Sequence, residues 1–313
     1  MYIGIDLGGT NIAVGLVNEE GEILHKDSVP TGAARHYSEI IKDMADLTKK
    51  VCADYGCPMS DIHSVGIGSP GSCDASNGIL VYANNINFLN VPMRAEMQKY
   101  IDKPIFLEND ANVAALAEYY KAGREMECFI AITLGTGVGG GIIQNGKIYS
   151  GFNGAAGELG HMVITQDGYP CTCGRSGCWE AYASATALIR QTKQELAVCN
   201  DSEMYRMVEG NLENVSGKTA FKAARAGDAS GKRVVDRYIN YVAVGIANLI
   251  NIFQPEMLVI GGGVCKEGDY LLNPIKEYCS HETYSKGGIV TTELGIAKLG
   301  NDAGIIGAAF LGK

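Results

Sequence analysis

Apolar and polar positions alternate over residues 2–7 and then meet a glycine pair, Gly8-Gly9. A second β-prone run covers 12–17, and Glu20-Gly21 turns the chain into a third at 22–29. The pattern predicts a three-strand meander at the start of the chain. Over 35–55 the period changes, with Ile40, Ile41, Met44, Leu47 and Val51 at helical spacing. A strand follows at 62–68, then a turn-rich stretch, then a helix near 92–101, whose first turn suits Pro92. Residues 104–108 read as a strand and 110–121 as a helix. Further on come a glycine-rich run (151–160), a cysteine-rich run (171–178) and a mostly helical stretch over 184–253. The longest helix candidate, 233–253, is stopped by Gln254-Pro255. A strand at 257–260, Gly261-Gly262-Gly263, a helix, a strand near 289–294 and a last helix over 303–311 complete an α/β chain.

The chain also repeats itself. Tyr2-Ile3-Gly4-Ile5-Asp6-Leu7-Gly8-Gly9-Thr10 sets over Phe129-Ile130-Ala131-Ile132-Thr133-Leu134-Gly135-Thr136-Gly137. Both segments run from an aromatic residue through alternation to Leu-Gly and a small-residue turn, and both continue as a second strand. Two related halves, each opening with a glycine-turned hairpin, are expected.

Composition narrows the classes. The 313 residues carry a net charge of −9, which argues against nucleic acid as a partner, since that needs a basic face. No apolar run approaches the roughly 20 residues of a membrane span, and the N-terminus has no signal-peptide pattern. A cytoplasmic location is expected, in which the ten cysteines are reduced thiols or metal ligands.

Asp6-Leu7-Gly8-Gly9-Thr10-Asn11 is a tight turn whose amides can face an anion, with Thr10 and Asn11 adding side-chain donors. Asp6 is placed to organise Mg²⁺ through water. Leu134 to Gly141, containing Gly135, Thr136 and Gly137, is a second such turn. Each turn alone is as easily a plain hairpin; the pair in a repeat suggests a clamp for a polyphosphate. Gly66 to Gly71 fits G-x-G-x-x-G, but Pro70 and the polar residues after it open no helix, so the dinucleotide fingerprint fails. No P-loop motif occurs. Asp110, in Glu108-Asn109-Asp110-Ala111-Asn112, lies between a strand and a helix. A residue there is often only an N-cap; the chemical alternative is a general base for a hydroxyl receiving phosphate, with Asn109 beside it for a neighbouring hydroxyl. His161, Cys171, Cys173 and Cys178 follow H-x9-C-x-C-x4-C, a spacing that suits a closed structural zinc site. Glu158 and Glu180 flank it. Each alone reads as a surface carboxylate, and together they could aim acceptors at sugar hydroxyls.

The runs DLGGT (6–10), ENDAN (108–112), LGTGVGGG (134–141), GELGHM (157–162), CTCGRSGCWE (171–180) and IGGG (260–263) resemble the ROK sugar kinases and repressors from residue 2 to the C-terminus. The resemblance implies an actin-like (ribonuclease H-like) ATPase fold, with two lobes around a central cleft. The first lobe is expected over 1–118, rejoined by a helix at about 300–313; the second spans 119–299 and includes a zinc loop at 161–178. It implies Asp110 as catalytic base and sugar contacts at Gly68, Asn85, Asn109, Asp110, Glu158, His161 and Glu180. Asn84 stays open as the alternative to Asn85, because the run Ala83-Asn84-Asn85 lacks the Pro the family often shows there. It also implies ATP phosphates on Asp6, Gly8, Gly9, Thr10, Asn11 and Leu134 to Gly140, adenosine near Gly261, Gly262 and Gly263, and a homodimer. The implied activity is ATP-dependent phosphorylation of a hexose at C6. Glucose leads, with N-acetylmannosamine, N-acetylglucosamine, allose or fructose, or a non-catalytic sugar sensor, as alternatives. The family's repressors carry a DNA-binding domain before the first glycine loop, and a loop beginning at residue 6 is expected to leave no room for one.

Overall fold

The computed structural model describes residues 1–285 and 289–313, with Asn84 described by its backbone alone. The chain divides into two compact units. One holds Met1–Glu127, Gly141–Gly157 and Lys298–Lys313; the other holds Cys128–Gly140 and Glu158–Ala297.

The first unit opens with β1 (Tyr2–Leu7), β2 (Asn11–Val17) and β3 (Ile23–Pro30), the expected meander. Helix α1 (Tyr37–Tyr55) follows and buries Ile40, Ile41, Met44, Leu47 and Val51, the positions its periodicity selects. It ends at Gly56, whose φ of 81° gives the left-handed C-cap that glycine adopts without strain. Next come β4 (Ser64–Ser69), β5 (Ser72–Asp74), β6 (Ile79–Ala83), β7 (Phe88–Val91), α2 (Met93–Gln98), β8 (Ile105–Asn109) and α3 (Asp110–Ala122). The main sheet has the order β3-β2-β1-β4-β8, with β1, β4 and β8 mutually parallel. Every residue of β4 is buried, as a strand covered on both faces must be.

The stretch between 69 and 91, expected to be turns, forms a separate three-stranded sheet, β5-β6-β7. Its strands are three to five residues long. Asn87 and Asn90, at φ 51° and 50°, interrupt the alternation that would have announced it. Helix α2 is also shorter than the expected 92–101, and Pro92 stands just before it, at the N-cap.

The second unit contributes β9 (Cys128–Leu134) and the start of β10 (Val138–Gln144), whose residues from Gly141 on belong to the first unit, as does β11 (Lys147–Ile148). After the cysteine-rich run come α4 (Glu180–Ala183), α5 (Ala185–Leu196), α6 (Glu203–Met207), α7 (Thr219–Arg225) and α8 (Ala229–Phe253). They are followed by β12 (Met257–Gly261), α9 (Asp269–Glu282) and β13 (Glu293–Ile296), the last strand lying later than the expected 289–294. The sheet order is β11-β10-β9-β12-β13, with β12 parallel to both β9 and β13. The core of this unit includes Trp179, fully buried, whose indole N–H donates to the Tyr241 carbonyl at 2.8 Å.

The last helix, α10 (Ala303–Phe310), returns to the first unit and packs on β1, β4 and α3. It does so backbone against backbone. A Cβ on Gly4 would collide with the Ile305 carbonyl oxygen, and one on Gly66 with that of Ala308. Glycine in the middle of a buried strand costs stability; here it admits the helix.

The repeat seen in the sequence is a repeat of topology. In each main sheet the first strand of the hairpin (β1, β9) has its hairpin partner on one side and a later parallel strand (β4, β12) on the other.

Candidate active site and metal centre

In the first unit, Asp6 stands near the end of β1, and Gly8 to Asn11 turn the chain into β2. The Gly8 amide donates to the Asn11 carbonyl at 2.9 Å. Thr31, fully buried just past β3, fastens this turn twice: its hydroxyl donates to the Gly8 carbonyl at 2.6 Å and its amide to the Thr10 carbonyl at 2.8 Å. Asn85 lies in a 3-10 turn (Asn84–Ile86), and a Cβ on Gly9 would stand 3.3 Å from the Asn85 carbonyl oxygen, so this turn backs the glycine loop. The Asn84 side chain is outside the described residues. Gly68 pairs with Asp6 across β4 and β1.

Strand β8 leads into α3 at the run that carries Asp110. The N-cap is Asn109: its side-chain oxygen accepts from the Ala111 and Asn112 amides at 2.9 and 3.2 Å, and its amide nitrogen donates to the Gly71 carbonyl at 3.0 Å. Asp110 is therefore the first helical residue and not the cap. It is exposed, and one carboxylate oxygen accepts from the Ala111 amide at 2.8 Å. Glu108, 5% exposed, braces the junction by accepting from the Asn109 amide at 2.9 Å and the Asn112 side chain at 3.0 Å.

Asp6 and Asp110 are close enough to affect each other. Burial, and after it the negative charge of Asp110, pushes the Asp6 carboxyl up to about 6. Helix α10 helps to enclose it, because a Cβ on Gly304 would stand 2.7 Å from an Asp6 carboxylate oxygen. Two neighbouring carboxylates of which one resists ionisation make a place that favours a cation.

In the second unit, the turn Gly135 to Gly137 is held from both sides. The Ala185 amide donates to the Gly135 carbonyl and the Thr186 hydroxyl to the Thr136 carbonyl, each at 2.8 Å. Glu180, at the start of α4, accepts from the Val138 amide at 3.0 Å, and Gly137 leaves the room its carboxylate occupies. Its other oxygen lies 3.4 Å from the Thr172 hydroxyl and 3.7 Å from the Cys171 sulfur. One carboxylate thus touches both the glycine turn and the cysteine-rich loop. Gly261 ends β12, and Gly262, at φ 94°, starts the turn containing Gly263.

The four proposed metal ligands converge. The ligand atoms of His161, Cys171, Cys173 and Cys178 all lie within 4.8 Å of one another. Cys173 Sγ and Cys178 Sγ are 3.6 Å apart, as are Cys171 Sγ and His161 Nδ1. A tetrahedral zinc site, with Zn–S of about 2.3 Å and Zn–N of about 2.0–2.1 Å, has edges of roughly 3.5–3.8 Å. The donors therefore fit zinc in kind, number and spacing. The thiols differ in their surroundings: the backbone N–H of Arg175 lowers the Cys173 thiol, whereas burial pushes Cys178 up to about 12. With Nδ1 turned to the sulfurs, the His161 Nε2 faces Glu158 at 4.0 Å, whose side chain is 65% exposed.

Each predicted residue of the first unit, Asp6 to Asn11, Gly68, Asn85, Asn109 and Asp110, falls at or near one edge of its main sheet's strand ends. Those of the second unit gather around the other glycine turn and the cysteine loop. Sequence reasoning gave no role to Thr31, Glu108, Glu118 or Gly304. Glu108 stood in a run already singled out; the others act across 21 residues or more of chain and leave no local pattern. No described helix is long and apolar enough to cross a membrane.

The ROK family model matches residues 2–313. A glucokinase of Halalkalibacterium halodurans is 40% identical over 316 residues, covering 100% of this chain and 94% of the relative. One from Thermotoga maritima is 39% identical over 313 residues, covering 99% of this chain and 96% of the relative. The crystal structure of a ROK family glucokinase from Streptomyces griseus, in complex with glucose and AMPPNP, superposes with a TM-score of 0.80 at 35% identity, covering 99% of this chain and 98% of that one. The α/β architecture is accordingly the actin-like, ribonuclease H-like fold of these proteins.

Proposed function

The chain belongs to the ROK family, and we propose that it is an ATP-dependent hexokinase, transferring the γ-phosphoryl group of ATP to the C6 hydroxyl of a hexose, glucose first among them. The observation that carries the reading is the exposed Asp110 carboxylate at the first turn of α3, in reach of Asp6 and the first glycine turn. A sugar hydroxyl is a weak nucleophile, and a carboxylate beside it takes its proton as the new P–O bond forms. The amides around Gly8, Gly9, Gly135 and Gly137, with Thr10, Asn11 and Thr136, donate to the phosphates. Gly261, Gly262 and Gly263 lie beside the adenosine.

The residues assigned to the sugar are Gly68, Asn85, Asn109 and Asp110 of the first unit and Glu158, His161 and Glu180 of the second. Asp6 is the residue for the Mg²⁺ of the nucleotide, which supplies charge neutralisation at the phosphates when bound. His161, Cys171, Cys173 and Cys178 would hold a structural zinc ion, and their joint ligation would tie the loop that bears His161 to the loop that precedes Glu180. The protein works as a cytoplasmic homodimer.

A coupled ADP-release assay with ATP–Mg²⁺ tests the reading against glucose, mannose, fructose, allose and the two N-acetylhexosamines. Fastest turnover with glucose is expected. Turnover with an N-acetylhexosamine alone would reassign the substrate. Silence across the panel from folded, zinc-loaded protein would overturn the kinase.

A further inference from the structure

Helix α3 carries Asp110 in its first turn and Glu118 two turns later. Glu118 is only 6% exposed, and nothing in the proposed chemistry uses it. Its two carboxylate oxygens accept from consecutive backbone amides, Lys298 at 2.9 Å and Leu299 at 2.7 Å. Burying a carboxylate is costly unless such partners meet it, and charge-assisted bonds of this kind are short and directional. Lys298 is the residue at which the chain re-enters the first unit. From Leu299 it runs through one 3-10 turn (Gly300–Asp302) straight into α10.

What lies at the two ends of this clamp gives it meaning. Helix α3 begins at Asp110. Helix α10 begins against Asp6, with Gly304 making room for that carboxylate. Between them α10 is seated without slack, because Gly307 lies on the Val113 carbonyl of α3 and Gly4 of β1 lies on the Ile305 carbonyl. A slip of the segment before α10 would therefore move the wall of the Asp6 site relative to Asp110.

We infer that Glu118 is a positioning residue for phosphoryl transfer: by holding the amides of Lys298 and Leu299 it fixes the first turn of α10 against Asp6, in register with the helix that bears Asp110. The inference rests on the kinase reading and deepens it. Glu118 touches no substrate and acts through the placement of Asp6.

Glu118→Gln tests it, because the amide keeps the shape and one acceptor but turns an NH₂ donor toward the second backbone N–H. Misplacement by an ångström can cost about a hundredfold in rate, so a loss of about tenfold or more in kcat is expected, with KM for the sugar within about twofold. The Mg²⁺ activation curve should move to higher concentration, and hydrogen exchange at Lys298 and Leu299 should quicken. The comparison is Ile306→Val, a core trim on α10 that leaves the clamp intact. A purely structural Glu118 predicts that two variants with similar loss of melting temperature behave alike. Wild-type kcat and an unmoved Mg²⁺ curve in folded Glu118→Gln, or the same change in Ile306→Val, would overturn the inference. If wild-type protein phosphorylates no sugar, the kinase reading falls by itself. The clamp is then judged by Mg²⁺-dependent binding of ATP, where equal affinity in wild type and Glu118→Gln would refute it.

Discussion

Asp6 should make the unliganded protein less stable as pH rises. Its carboxyl is raised from the usual 3.8 to about 6, first by burial and then by the charge of Asp110. Between those two values the folded state binds more protons than the unfolded chain, so stability falls with increasing pH and the loss is complete above pH 6. At about 1.4 kcal/mol per pH unit, the cost of an ionised Asp6 is about 3 kcal/mol. Asp6→Asn removes the charge and keeps the shape. At pH 7.5, without magnesium or nucleotide, the variant should be the more stable by up to this amount, about 5 °C in Tm for a chain of this size. At pH 4, where Asp6 is protonated in the folded state, the two should melt together. Added Mg²⁺ with ATP should stabilise wild type far more than the variant, since a cation reverses the sign of the Asp6 liability. Differential scanning fluorimetry across pH 4–8 reads all of this. A difference in Tm that does not change with pH, or a variant less stable at pH 7.5, would refute the reasoning. Asp110→Asn should shrink the pH effect without abolishing it, because burial is the larger cause.

Three further outcomes follow from the geometry. Asp110→Asn should lower kcat by about 10²–10⁴-fold, the usual contribution of a general base, while sugar affinity by calorimetry changes little; its Tm should not fall, because Asn109 still caps α3. Cys173→Ser should lose zinc, read by elemental analysis, together with sugar binding, and a zinc-free variant of full activity would remove the metal from the proposal. Gly66→Ala should cost more than about 4 kcal/mol and yield little soluble protein, because its methyl group collides with the backbone of α10, where no rotamer can yield.

The parts of this molecule legible in the sequence are those that repeat locally. The meander β1–β3, helix α1 and the matching hairpins announce themselves by period, and the cysteine cluster by spacing, and these lie where expected. The sheet β5-β6-β7 did not, since strands of three to five residues broken by left-handed asparagines never complete an alternation. The cap of α3 fell one residue from the bland reading, because Asn109 and Asp110 are both good cap formers and only the backbone decides between them. Thr31, Glu118 and Gly304 were invisible for a plainer reason: each is defined by a contact with residues far along the chain.

The repeat also shows how one local pattern is put to use twice by different means. Both glycine turns end a central strand, and both need their amides held still if they are to receive phosphate, since a mobile turn would lose its ordering entropy on binding. The first is fixed from its own meander, by a threonine just beyond β3 that bonds to Gly8 and Thr10. Among the described residues the second has no such third strand beside its turn, since β11 pairs with the far end of β10. It is fixed instead by the start of α5 and by Glu180, and Glu180 reaches at the same time to the loop of the cysteine cluster. The consequence is an asymmetry in what each turn depends on. The first stands on the sheet that forms it, whereas the second stands on a loop that is short of regular structure and bears the four residues that would hold a metal. Removing the metal should therefore loosen the second turn and leave the first as it was, and hydrogen exchange at Gly135 to Val138 set against Gly8 to Asn11 separates the two.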